Sequence, residues 1–435
     1  MKNPGCIQRL LYKDQGAVIV LVAILLFVLL GVTAFAIDFG YRHVVRNELQ
    51  NAADAAALAA ARELGEIYGT LTYTEQQTYV ADPSTIIPIA QEAALLNYAG
   101  DVGNLAVNAP DVIIGDWDFA QDPSVTDPLT PTLNQPDAVR VTTRRDDNAN
   151  GPVATFFASI FNISSLPVTA KATAALSGQS IAEPGEIELP VGISKYWFDN
   201  PDYCNDVIAF SPSNDPASCA GWHTFTSSPA NDKKVRDILE NFIETGESGS
   251  PTIISGETDL EFIGGELSTN TFESLMVSFQ KNGYDISALD ADGIGIPITD
   301  AGGNPINNAS GTGQEIALCT STDKPKGVTR CDAPNSTGTP AYYPDDPTTK
   351  GVTENVARNL HAWQTTLPVY DRNDCSNPNQ SIRTAGFALI EIQDVGGPSD
   401  KTIKGRVLCN YVENEDVRGG GSNFGTLGSV PGLVE

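Results

Sequence analysis

Histidine is nearly absent from this chain: three in 435 residues, at positions 43, 223 and 361. Catalysis near neutral pH calls for a positioned base, and imidazole is the group that titrates there most readily. His43 stands where a long apolar run ends, while His223 and His361 sit beside Trp222 and Trp363, which suits packing better than proton transfer. The chain also lacks a Gly-x-Ser-x-Gly elbow, a His-Glu-x-x-His pair and a phosphate-binding glycine loop. An extracytoplasmic hydrolase is therefore the weakest reading, and neither a small-molecule substrate nor a cofactor is expected. Positive charge is scarce as well. Twenty-six Lys and Arg face 54 Asp and Glu, a formal net charge of -28, which repels phosphate backbones and excludes nucleic acid as a partner. No Cys-x-x-Cys pair occurs, which disfavours zinc and thioredoxin-like redox chemistry. No solenoid repeat is visible.

What the chain does have is one long apolar run, Ala17 to Ile37, free of charge. As a helix it would cover ~32 Å, the thickness of a bilayer's hydrocarbon core. It passes without a breaker into an alanine-rich segment, where eight of the ten residues from Ala52 to Ala61 are alanine. Tyr41, Val45, Leu49, Ala52, Ala56 and Ala60 recur at spacings of three and four, so one weakly apolar stripe continues beyond the membrane. Unbroken from residue 16 to 64, this rod would be roughly 72 Å long. Its alanine-rich side is expected to face neighbouring proteins. Lys2, Arg9 and Lys13 lie upstream against Asp14, whereas Arg42 and Arg46 downstream are balanced by Asp38 and Glu48. That asymmetry keeps residues 1–15 in the cytoplasm as a short tail and sends the bulk of the chain across the membrane. Thr33-Ala34-Phe35-Ala36 offers only a weak cleavage site, and the run exceeds the usual secretory core, so an anchor is expected rather than a signal peptide.

The block Gly16-Ala17-Val18, Gly31-Val32, Ala36-Ile37-Asp38-Phe39-Gly40 and Glu48-Leu49-Gln50-Asn51-Ala52-Ala53-Asp54-Ala55-Ala56-Ala57-Leu58-Ala59 resembles the amino-terminal signature of TadG-like proteins of the tight-adherence (Tad/Flp) pilus-assembly systems of bacteria. Weaker similarity follows at Ala138 to Val141, Leu166 to Leu176, Leu367 to Asp371 and Gly386 to Ala388. The resemblance implies a non-enzymatic component of pilus biogenesis and adhesion, single-pass in the inner membrane. It would dock on other pilus-assembly proteins or pilin-like subunits through the long helix, at Gly31, Asp38, Gly40, Gln50, Asn51, Asp54 and Leu58. Asp38 has a plainer reading too, as an interfacial residue that ends the apolar segment and pairs with Arg42 one turn on. Type IV-class pilins are cut after a glycine, with glutamate fifth in the mature chain; here Gly16 is followed at that place by Leu21, so processing as a major pilin is not expected. Some larger relatives carry a von Willebrand type A metal site, but Asp122-Pro123-Ser124-Val125-Thr126 follows no strand and contains proline.

The rest reads as α+β: the long transmembrane, pilin-like helix followed by two small extracytoplasmic modules. Residues 65–178 form the first, with a helix at Thr85 to Tyr98, strands at Ala106 to Asn108, Asp111 to Phe119, Ala138 to Thr143 and Leu166 to Leu176, and a buried helix at Val153 to Phe161. Residues 187–412 form the second, with helices capped by Asp232 and Asn270 and a hairpin turning at Gly396 to Asp400. Asp290 to Asp346 reads as a long loop and 413–435 as a flexible tail.

Cys6 precedes the apolar run, while Cys204, Cys219, Cys319, Cys331, Cys375 and Cys409 all follow it, an even set on one side of a bilayer, as an oxidising compartment produces. Sequential pairing is expected (Cys204 with Cys219, Cys319 with Cys331, Cys375 with Cys409), because it closes short loops worth ~3 kcal/mol each on the chain-entropy model. Asp290-Ala291-Asp292-Gly293 opens like a calcium loop, but Ile294 and Ala301 stand where an EF-hand needs oxygen ligands. A looser calcium site from Asp285, Asp290, Asp292 and Asp300 is the minor reading and an acidic loop the major one. The second functional reading is accordingly a surface adhesin or calcium-dependent binding module on a pilin-like anchor.

Overall fold

The computed structural model describes residues 5–119, 127–200, 202–204, 206–210, 219–265, 267–290, 293–307, 316–318, 328–332, 342–344, 360–395, 402–413 and 417–434. Helix α1, Gly5–Gly69, is unbroken over 65 residues. From Val18 to Phe35 its large apolar side chains are bare, 54–75% exposed. The helix is long and apolar enough there to cross a membrane.

Beyond that stretch α1 is sheathed by its own chain. Val45, Leu49, Ala52, Ala53, Ala56, Ala57, Ala60, Ala61 and Leu64 are fully buried. They pack on α2 (Pro83–Leu95) and on a five-stranded antiparallel sheet. Its strands are β1 (Val112–Trp117), β2 (Leu129–Pro131), β3 (Ala138–Arg145), β4 (Val168–Ala175) and a last strand from the far end of the chain, in the order last-β4-β3-β1-β2. Alanine permits this close approach of helix to sheet, because a methyl leaves the Ala172 and Ala174 face of β4 within reach. The alanine-rich side expected to face neighbours is thus occupied by the molecule itself.

The second body is built on nine strands: β5 (Val191–Ser194), β6 (Ile208–Phe210), β7 (Ala220–His223), β8 (Asp259–Ile263), β9 (Tyr284–Leu289), β10 (Gly295–Pro297), β11 (Leu360–Tyr370), β12 (Ser381–Val395) and β13 (Ile403–Val407). Their order is β6-β13-β12-β8-β7-β5-β11-β9-β10, and β12 also pairs with β11, so β12, β8, β7, β5 and β11 close on themselves. Only β5 and β11 run parallel among these pairings. Two amphipathic helices, α3 (Asp232–Thr245) and α4 (Thr269–Lys281), cover one side, with Phe242 stacked on Trp363. Their caps are Asn231 and Ser268 instead of Asp232 and Asn270. Asp232 accepts from the Ser268 N–H and ties one helix start to the other.

Several expectations are overturned. Val153 to Phe161 is not a buried helix: Val153–Ala154 is a short strand, Ala158–Phe161 one turn of 3-10 helix, and Phe156, Phe157, Ile160 and Phe161 are exposed. A run that is apolar all round specifies no helical face, and its backbone is claimed instead by a side chain of α1. Ala106 to Asn108 is not a strand. The span 290–346 is not all loop, since β10 and a small sheet of Ile316–Leu318, Val328–Asp332 and Tyr342–Pro344 fall within it. Nor is the end of the chain a loose tail. Its last strand, β14 (Gly432–Leu433), pairs with Ala174 and Ala175 of β4 and completes the first sheet. The buried Gln76 amide accepts from the Val412 N–H and donates to its carbonyl, taking the place of a neighbouring strand. Residues expected to belong to separate modules therefore share one core, with Val412 and Leu427 packed among the alanines of α1.

Candidate functional site at the helix exit

Asp38 follows the last apolar residue of the run and is buried. Its Oδ1 accepts from the Phe156 N–H (2.7 Å), its Oδ2 from the Ala158 N–H (2.6 Å), and the Phe157 N–H reaches both oxygens at 3.2 and 3.0 Å. The carboxylate thus caps, from 118 to 120 residues away, the turn Ala158–Phe161. Burial pulls its pKa upward, but the three N–H donors, Ala158 first, outweigh that and leave it below the ordinary carboxylate range. Tyr41, one turn on, sets its ring edge-on against Phe156, with centroids 5.3 Å apart. Arg42 is exposed, and the expected pair with Asp38 is replaced by these backbone bonds.

The other residues singled out on α1 divide by face. Gly31 and Gly40 are open, with nothing within 4 Å of where a Cβ would stand. Gln50 donates to Asp54 Oδ1 (2.8 Å) and to the Lys171 carbonyl of β4 (2.9 Å), so these two side chains serve the sheath. Asn51 is exposed and Leu58 half-buried. Gly40, Val44, Asn47 and Asn51 recur at helical spacing along one exposed side of α1, and the same line runs on into Leu58, which is half-buried against the core. Gly31 and Asp38 lie on the opposite side.

The disulfides join Cys204 to Cys409 and Cys219 to Cys375, across 205 and 156 residues, which corrects the sequential pairing. Short loops cost less entropy to close, but the sheet, bringing β7 and β13 beside distant segments, decides which thiols meet. Cys319 and the Cys331 side chain lie outside the described residues.

Two of the three histidines pack, and His43 is exposed. His223 is fully buried, its pKa pushed down to about 3 by burial, and its Nδ1 accepts from the Phe225 N–H. His361 Nε2 lies 2.8 and 2.7 Å from the Phe279 and Asn282 carbonyls at the end of α4, and Nδ1 lies 3.2 Å from Asp285. Asp285 is buried there, while Asp290 caps the Ile294 N–H and Asp300 those of Gly302 and Asn304. Asp292 lies outside the described residues. The carboxylates weighed for calcium thus turn to separate partners, and among the described residues no group of three His, Cys, Asp or Glu is placed to hold a metal.

A cavity of about 1200 Å³ opens between the end of the first sheet and the returning tail, lined among others by Tyr68, Asp116, Asp137, Tyr203 and Asn423. Asp137 is buried, accepts from the Trp117 N–H at 2.7 Å and stands beside Asp116. Burial, then the Asp116 charge, push its pKa up to about 8. The described lining has no histidine, lysine, arginine or cysteine. Sequence reading missed this pair, and only the β1–β3 register brings it together.

A helix bare and apolar at one end, and wrapped along its other part by the chain's own sheet, defines an α+β protein led by one long helix. Residues 16–63 match the Flp pilus-assembly TadE/G-like family, and residues 44–174 match the Tad-like Flp pilus-assembly family. Residues 16–174, which the two matches span together, are thus similar to TadE/G-like proteins of Flp pilus assembly. The matched residues are α1, α2 and the β1–β4 sheet. No curated protein and no solved structure matches the chain.

Proposed function

We propose that this protein is a non-enzymatic, single-pass component of the Tad/Flp pilus-assembly apparatus, held in the bacterial inner membrane by α1. Residues 1–15 face the cytoplasm, and the acidic, disulfide-bonded bulk faces the periplasm or beyond. The observation that carries this reading is α1 itself: the family match coincides with a helix that is bare for the depth of a bilayer and then sheathed. Because the alanine face is occupied by the chain's own sheet, other pilus subunits dock on the free stripe through Gly40, Val44, Asn47 and Asn51. The two disulfides and the -28 charge support the extracytoplasmic placement.

Photocrosslinking in cells carrying the pilus system tests both points. A crosslinker at Asn51 captures another assembly protein, whereas one at Ala56 gives only internal products; capture from Ala56 and none from Asn51 overturns the docking face. Protease added to spheroplasts removes the bulk and spares an amino-terminal tag; a protected bulk overturns the topology.

A further inference from the structure

The loop 155–163 is unlike the rest of the surface. Phe156, Phe157, Ile160, Phe161 and Ile163 are 60, 38, 77, 70 and 47% exposed, adjoining one another, and residues 153–166 contain no charged side chain. Soluble surfaces rarely carry such a patch without a partner for it. The loop is fastened at Asp38, the first residue past the apolar run, where Phe35 and Phe39 are also exposed at 70 and 45%. Its apolar side is thus continuous with the bare part of α1 and level with the place where that helix leaves hydrocarbon.

The backbone of the loop is prepared for the same surroundings. Irregular chain is tolerated at lipid depth only where its polar groups are satisfied from within. The N–H groups of Phe156, Phe157 and Ala158 go to Asp38, that of Thr155 to the Ser164 carbonyl, that of Ile160 to Phe157, that of Asn162 to Ser159, and that of Ile163 to Ala158. The Thr155 hydroxyl donates to the Ile163 carbonyl. Asp38 therefore has a second effect: its charge, which lipid would reject, is enclosed by the donors of the loop that it holds.

We infer that this loop inserts its phenylalanine and isoleucine side chains into the outer edge of the bilayer that α1 spans, forming a second, shallow membrane contact. The inference rests on the reading of α1 as a membrane anchor. Two contacts fix more than one: α1 alone leaves the body free to tilt toward or away from the lipid, whereas a loop seated in the interface holds the body at one depth and limits that tilt.

The test uses the full chain in lipid nanodiscs, with tryptophan introduced singly as Ile160→Trp or, as a control inside the span, Leu25→Trp. Ile160 is the most exposed of the loop's large apolar side chains, so the folded body tolerates the change. Phosphatidylcholine brominated near the top of its acyl chains should remove the emission added by Ile160→Trp, and lipid brominated near the chain ends that added by Leu25→Trp, each against the native four-tryptophan background. If Leu25→Trp is quenched and Ile160→Trp is not, the loop proposal fails and the anchor stands. If neither is quenched, the anchor reading fails, and the loop proposal with it. An unquenched loop that instead crosslinks a second copy through Ile160→Cys overturns the lipid assignment in favour of protein.

Discussion

Gly65 sets two physical effects against each other in one substitution. It lies inside α1 with ordinary helical backbone, so Gly65→Ala should stabilise the helix by ~1 kcal/mol on propensity alone. The space says otherwise. A Cβ there would collide with the Ser429 carbonyl of the returning tail and stand 3.2 Å from Leu176 Cδ2. Backbone cannot swing aside as a side chain can. Moving residue 429 strains the bonds from the Gly428 N–H to Ser177 (2.8 Å), from Val430 to Val417 (3.0 Å) and from Gly419 to Val430 (3.0 Å). Two or three such bonds at ~1 kcal/mol each, with Leu427 partly uncovered, outweigh the propensity gain and leave a net loss of about 1–3 kcal/mol. For a cooperative unit of this size the midpoint should fall by roughly 3–10 °C. Thermal unfolding in nanodiscs, paired with carboxypeptidase trimming, reads both the midpoint and the release of the tail. If Gly65→Ala melts higher with the tail still protected, the tail is not seated on the helix as described.

Asp137 carries a pH signature. Its folded-state pKa of about 8 lies above the ordinary carboxyl value, so its favourable contribution is complete below about pH 4 and is lost as pH rises toward 8. Asp137→Asn keeps an acceptor for the Trp117 N–H and removes the titration; the stability difference between variant and parent should widen by up to ~1.4 kcal/mol per pH unit between pH 5 and 7, and a constant difference would contradict the raised pKa. Mass spectrometry of a non-reduced digest should link Cys204 with Cys409 and Cys219 with Cys375, and Cys204→Ser should cost about 3–5 kcal/mol for opening so long a loop; a Cys204–Cys219 peptide would restore the sequential pairing. Asp38→Ala should abolish hydrogen-exchange protection at Phe156, Phe157 and Ala158 while leaving β3 and β4 protected, and unchanged protection would mean that Asp38 does not hold the loop.

The helix was legible from sequence because its signals are local: an uncharged run, alanine propensity and three-four spacing all agree over adjacent residues. The use made of its alanine face was not. Ala52, Ala56 and Ala60 fit a neighbour's helix or the chain's own sheet equally well, and only β3 and β4, some ninety residues on, decide it. The same distance hid the exit loop, since Phe156 to Phe161 reads as buried until Asp38 is found holding its backbone in the open. The tail, glycine-rich at Gly419 to Gly421, reads as a linker, but those glycines let its backbone lie directly on residues 177–179, as the Gly421 bond to the Gly178 carbonyl shows. In the second body α3 and α4 were plain from periodicity, whereas β11, with Pro368 near its end, shows its strand character only against β12.

The central claim is that one uninterrupted helix runs from the membrane into the folded body. Pulsed electron resonance between spin labels at Leu25 and Asn51, on the full chain in nanodiscs with Cys6 replaced by serine, measures it directly. A helix rising ~1.5 Å per residue predicts a narrow distribution centred near ~39 Å. A distribution centred well below ~30 Å, or spread as widely as a joint near Gly40 would spread it, contradicts the account.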